Sequence, residues 1–301
     1  MSNIFHIYDR TFKRILTLSD KAVINLINGL FGTEHPTNSK ITYNWTEHQD
    51  NNLKGTLSDS ILTINDKDIY HIEAQMTEDE EIVFRVFEYG FGHAYKNRSL
   101  TKKGETLVFP QPRVIYLDEG KKDKVEDEYT LTLRFKGQGT FTYKVPVVKL
   151  QNISTKELSD KKMVILIPFF LLKLRKKLEK VRTKENIEEL QNLIVNDIMG
   201  SIEKNEKAGN ISIQDALELR DLTWKLYKDI YSGYQEVEAY MRKKYDQSIE
   251  LISDKYDRGM DELIEEVQEK KEIILKQGNT INSLTTEIEN LKKQLEELQK
   301  K

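Results

Sequence analysis

The chain has 301 residues, 32% of them charged, with a net charge of -3 and a mean hydropathy of -0.61. That leaves room for one substantial domain with an appendage, or for two modest ones. There is no cysteine, which excludes disulfides, thiolate zinc sites and a cysteine nucleophile. The longest apolar run, Met163 to Leu172, is about half of a membrane span and contains Pro168. No signal-peptide pattern opens the chain, so the expected location is the cytoplasm, with no membrane partner.

Charge is unevenly spread. Residues 1–184 carry 30 Lys and Arg against 24 Asp and Glu, whereas residues 185–301 carry 17 against 26. The first part permits a polyanionic partner without demanding one; the second has no electrostatic reason to approach one.

In chain order, Phe12, Ile15 and Leu16, then Val23, Ile24, Leu26, Ile27 and Leu30, recur at helical spacing. Ser19-Asp20 suits a cap between two short helices, and Gly32 suits a stop. Asn38 to Gln49 alternates Ile41, Tyr43 and Trp45 and leans towards a strand. Leu57 to Ile64 and Ile69 to Gln75 read as strands joined by the turn Asn65-Asp66-Lys67-Asp68. A period of two puts His71, Glu73 and Gln75 on one face of the second strand. Glu81 to Arg98 reads as an aromatic-rich helix. Arg113 to Leu117, Tyr129 to Phe135 and Phe141 to Leu150 are strand candidates, with Gly137-Gln138-Gly139 turning between the last two. Lys156 to Lys180 reads as one helix, apolar and then basic. The pattern is an α/β domain over residues 1–180.

Residues 185–245 read as an all-helical region broken at Ala208-Gly209-Asn210, with Ser212 as the next cap. Over residues 256–301, Met260, Leu263, Val267, Ile274, Ile281, Leu284, Ile288, Leu291, Leu295 and Leu298 follow heptad steps. That is a coiled coil; its heptads do not specify the oligomer state, and a homo-oligomer is the expected assembly. A single amphipathic helix folded back on residues 185–245 is the other reading.

Two acids and an amide carry the chemistry. Asp59 lies fourteen residues before Glu73, across the hairpin, and Gln75 shares the face of Glu73. Two carboxylates suffice for Mg2+, which prefers hard oxygen ligands and keeps several waters. Such an ion activates water against a phosphodiester, and Gln75 would orient that water, though it cannot supply charge as a lysine would. An exposed hairpin with solvated acids has the same spacing.

The set Asp59 … Glu73-Ala74-Gln75 resembles the D…(D/E)-x-(K/Q) signature of the PD-(D/E)XK nucleases. More specifically, it resembles the Rpn-type recombination-promoting nucleases, or PD-(D/E)XK nuclease family transposases. Tyr8-Asp9-Arg10-Thr11-Phe12-Lys13-Arg14-Ile15-Leu16 is similar to that family's opening helix, and Arg85-Val86-Phe87-Glu88-Tyr89 to its helix after the active-site strand. Arg113 to Leu117, Tyr143 to Leu150 and Ile167-Pro168-Phe169-Phe170 resemble later segments, so the likeness covers about residues 5–180.

The resemblance implies a restriction-endonuclease-like core and a Mg2+-dependent DNA endonuclease, with Mn2+ as a possible substitute. Its catalytic residues are Asp59, Glu73 and Gln75, and its metal ligands are Asp59 and Glu73. Asp9 is the candidate for a further helix acid, or else an ordinary N-terminal helix charge. Arg85 and Tyr89, at i and i+4 on one helix face, would contact phosphate or buttress the site. The departures are Ser58 in place of the family's proline and Gln75 in place of the commoner lysine. The basic stretch Lys173 to Lys184 reads either as a track for a DNA backbone or as a solvated helix face. A catalytically inactive nuclease-fold protein acting in DNA binding or assembly is the rival reading, and an RNA-directed nuclease a third.

Overall fold

The structure is a computed structural model that describes residues 2–47, 57–77, 79–101, 104–118, 126–235 and 237–247. The side chains of residues 2–6, 45–47, 57–59, 100 and 101 fall outside that description, as does the expected coiled coil over 256–301. The chain divides into two units, Met1–Tyr245 and Asp246–Lys301, and the described architecture belongs to the first.

Helices α1 (Ser2–Ile15) and α2 (Asp20–Phe31) open the chain. Ser19 caps α2 by accepting the Ala22 N–H, and Gly32 closes it at φ +67, a left-handed conformation that a side chain would resist. Strands β1 (Ile41–Glu47), β2 (Leu57–Ile64) and β3 (Asp68–Gln75) then form an antiparallel meander. Asn65 and Asp66, at φ 53 and 56, make the turn between β2 and β3, because their short polar side chains tolerate positive φ. Helix α3 (Ile82–Lys96) crosses over the sheet. After it come a separate small hairpin, β4 (Ser99–Thr101) with β5 (Gly104–Thr106), and then β6 (Gln111–Tyr116), parallel to β3. Strands β7 (Glu128–Phe135) and β8 (Gly139–Lys149) complete a mixed six-stranded sheet of order β1-β2-β3-β6-β8-β7. Gly137 and Gly139 turn the last hairpin at φ 78 and 110. The fold is therefore α/β, with strand positions close to those the alternation indicates.

Both faces of the central sheet are covered. Tyr70 and Ile72 of β3 and Ile115 of β6 enter the main core with α1, α2 and the C-terminal helices. The opposite face, with Val114, Tyr116, Tyr143 and Val145, packs under Ile82, Val83 and Val86 of α3. Glu73 lies on this second face.

The stretch expected as one helix over Lys156 to Lys180 is three segments. Helix α4 (Thr155–Asp160) ends before Lys162, which sits at φ 56. Val164–Leu174 then winds as a 3-10 helix, and α5 (Arg175–Lys180) follows. Pro168 has no N–H to give, and in an α-helix its ring would crowd the carbonyl of Val164, four residues back. The tighter winding accommodates it, and Val164 to Leu172 is buried throughout.

Beyond it lie α6 (Lys184–Asn192), a π-helical stretch (Leu193–Met199), α7 (Gly200–Lys207) and α8 (Ile213–Tyr231), and residues 237–247 are helical. Leu190, Ile194, Ile198, Leu219 and Tyr231 share one core with Tyr8, Phe12 and Ile72. Ser212 and Asp215 form a capping box on α8. The Asp215 carboxylate also accepts from the Ser19 N–H at 2.8 Å and the Ser19 hydroxyl at 2.5 Å, joining the starts of α2 and α8. Among the described residues, no helix is long and apolar enough to cross a membrane.

Candidate functional site

Glu73 is 5% exposed and His71 1%, so the polar face of β3 is buried rather than solvated. The cause is α3, whose crossover lays Arg85 and Tyr89 over these residues. A carboxylate buried there needs partners, and it has them. Gln75 donates its amide N–H to Glu73 Oε1 at 2.5 Å, and Arg85 donates Nη2 to the same oxygen at 3.1 Å. Arg85 also donates Nη1 to Asp79 Oδ2 at 2.7 Å, and Asp79 Oδ1 accepts the Glu81 N–H at 2.9 Å, at the start of α3. Among the described residues both bonds to Glu73 fall on Oε1, which leaves Oε2 with accepting capacity.

The backbone brings Asp59 to this place. The β2–β3 ladder ends at the pair Ser60 and Ile72, and Asp59 and Glu73 are the next residues of the two strands beyond it. On its other side β2 is irregular: Trp45 pairs Ser60 and Thr46 pairs Ser58, which makes Asp59 the extra residue of a β-bulge. Bulges of this kind end pairing and re-aim a side chain. The Asp59 side chain lies outside the described residues, so the Asp59–Glu73 carboxylate separation does too.

His71 stands edge-on to Tyr89, with ring centroids 6.4 Å apart, next along the face from Glu73. His93, one helical step beyond Tyr89 on α3, is buried, and its pKa is lowered by that burial, then by the nearby His71 and Lys96. Burial also pushes the Tyr143 phenol up to about 12, and among the described residues its oxygen has no hydrogen-bond partner.

Asp9 is placed elsewhere. It is an exposed residue of α1 ion-paired with Lys13 at 2.8 Å, and no contact joins it to Glu73 among the described residues. Much of the basic stretch is committed to contacts within the chain. Lys173 bonds the Ile153 carbonyl at 2.9 Å, Arg175 and Lys176 face Asp118, Lys177 pairs with Glu189, and Arg182 lies 4.8 Å from the centroid of the Tyr234 ring. Burial is the largest influence on the Arg175 charge and lowers its pKa, but Asp118, Tyr8 and Glu179 together raise it on balance.

Two acids escaped the sequence reading. Asp79 sits in a polar loop that reads as solvated; only its position ahead of the α3 helix was a signal. Asp118, 4% exposed, follows the apolar strand end Ile115-Tyr116-Leu117. An acid directly after an apolar run at the carboxyl edge of a parallel pair was the available cue.

The residues at the end of β3 form an oxygen-rich set with one guanidinium. Glu73 offers Oε2, Gln75 offers its amide oxygen once its nitrogen is engaged, and the backbone of Asp59 follows the last β2–β3 pair. Among the described residues no group of three or more His, Cys, Asp or Glu side chains forms a metal site by itself. No protein-family model, curated protein or solved structure matches the chain.

Proposed function

We propose that the chain is a Mg2+-dependent DNA endonuclease of the PD-(D/E)XK, recombination-promoting type, acting in the cytoplasm as a homo-oligomer through residues 256–301. One observation carries the reading: Glu73 is a buried carboxylate held by Gln75 and Arg85, one position beyond the last β2–β3 pair, Ser60 with Ile72, and Asp59 is the next residue of β2. The antiparallel meander, crossover helix and parallel fourth strand, which set Glu73 beneath α3, support the reading.

The donor set fits a small hard dication. Glu73 and Asp79 against Arg85 leave a formal charge of about -1 before Asp59 is added, and the carboxylate and amide groups present hard oxygen ligands. Asp59 and Glu73 would hold the ion, Mg2+ or Mn2+, and when bound it would lower the pKa of a water and offset phosphate charge. Gln75 holds Glu73 through its nitrogen and accepts from the attacking water through its oxygen. Arg85 fixes the Glu73 carboxylate and balances its charge. Tyr89 packs against His71 and closes that side of the site from solvent.

Supercoiled-plasmid nicking tests this. Mg2+-dependent nicking is expected from the native chain and lost in Asp59→Asn and in Glu73→Gln, with unchanged circular dichroism. Equal nicking by both variants would remove the proposal. The Arg85–Glu73 ion pair supports a second reading, a nuclease-like fold retained for DNA binding or assembly with Glu73 in a structural pair. DNA binding that persists in a chain without divalent-ion binding would favour it.

A further inference from the structure

The inner side of α3 covers Glu73; among the described residues its outer side is open except for Phe109 beside Phe91 and Arg98 over the Tyr95 ring. Phe84, Phe91 and Tyr95 are 60%, 43% and 52% exposed there, with exposed Glu88 and Gly92 between them. Steps of four, three and four put Phe84, Glu88, Phe91 and Tyr95 on one stripe along the helix. Phe91 and Tyr95 stack at 6.0 Å. Scattered exposed apolar residues need no explanation, but an aligned aromatic stripe marks an interaction surface.

Gly92 adds a second observation. A Cβ at this position would meet nothing within 4 Å, so nothing in its own fold requires glycine there. Glycine in a helix interior nevertheless costs about 1 kcal/mol relative to alanine. What it provides is close approach by another backbone.

Charge then selects the partner. Glu88 lies four residues before Gly92 and Lys96 four residues after it, and neither makes an ion pair among the described residues. The stripe is therefore complementary to itself about Gly92. An antiparallel copy crossing at that glycine sets each Glu88 against the partner's Lys96, twice over, with the aromatic rings packed between. Residue matching of this sort is what a two-fold, isologous contact demands. A nucleic acid fits less well, because Glu88 would stand in the middle of its phosphates.

We propose that the outer face of α3 is the docking surface for a second copy of this chain, the two α3 helices crossing antiparallel at Gly92. The inference stands whether or not the chain is a nuclease. If it is one, two Glu73 sites come to opposite sides of one interface.

The chain has no cysteine, so Gly92→Cys introduces a single thiol. Copper-phenanthroline oxidation of the full chain should convert this variant to a reducible dimer roughly tenfold faster than a chain with the exposed Lys156→Cys, because a disulfide needs Cα atoms within about 7 Å. Adding Glu88→Lys to Gly92→Cys should slow that dimerisation by roughly tenfold, and adding Lys96→Glu as well should restore it. Phe91→Cys, one residue from the crossing and exposed on the same stripe, is a second reporter should Gly92→Cys disturb the helix. A rate equal to the Lys156→Cys control, at both reporter positions, overturns the proposal. So does failure of the paired charge swap to restore the rate, or loss of crosslinking on adding a single-stranded oligonucleotide, which would assign the face to nucleic acid.

Discussion

Arg85→Met keeps the apolar stem of the side chain and removes the charge that joins Glu73 to Asp79. The side chains of Arg85 and Glu73 are 29% and 7% exposed. Removing one partner of a fully buried pair costs about 3–5 kcal/mol. Here the guanidinium is partly solvated and Gln75 remains on Oε1, so roughly half of that, about 2 kcal/mol, is the expected loss. For a unit of this size each kcal/mol moves Tm by about 2–4 °C, which predicts a fall of about 4–8 °C without divalent ions. If Glu73 is a ligand, Mg2+ supplies the missing counter-charge, and saturating metal should recover much of the deficit by mass action. Thermal unfolding by circular dichroism, with and without Mg2+, reads both effects. A Tm within about 1 °C of the native chain would refute the buried-pair reasoning. A deficit that Mg2+ leaves unchanged would refute the assignment of Glu73 as a ligand.

Asp215→Ala strips the Ser19 and Ser212 backbone N–H groups of one shared acceptor, and should cost about 3 kcal/mol by urea unfolding, with helix content otherwise intact. The pH dependence has a definite sign. The folded-state pKa of His93 lies below the ordinary imidazole value of 6.5, because burial disfavours the imidazolium, so the unfolded chain takes up the proton more readily. The stability this group contributes is present above pH 6.5 and is lost as pH falls through the folded pKa. Chemical unfolding between pH 7.5 and about 5 should show that loss, and His93→Leu should flatten it.

Much of the fold was legible because short-range patterns and tertiary structure agree. The alternation Tyr70-His71-Ile72-Glu73-Ala74-Gln75 gave the two faces of β3, and Asn65-Asp66 gave its turn. The same alternation could not tell a solvated face from a covered one. That depends on α3 crossing back over β3, a non-local consequence of the parallel pairing with β6. Arg85 could be picked out by its face on α3, but its division between Glu73 and Asp79 depends on where the preceding loop sets Asp79. The apolar run Met163 to Leu172 has no periodicity to separate a 3-10 helix from an α-helix; Lys162 at φ 56 and Pro168 decide it through backbone geometry. The bulge at Asp59 was hidden for a similar reason, since register against β1 is a property of two strands and not of one.

The most direct measurement of the central proposal is calorimetric titration of the full chain with Mn2+ at low ionic strength. Saturable binding in the native chain, abolished by Asp59→Asn and separately by Glu73→Gln, is the predicted result. Binding that survives both substitutions, or a native chain that binds no divalent ion while still holding DNA, would contradict it.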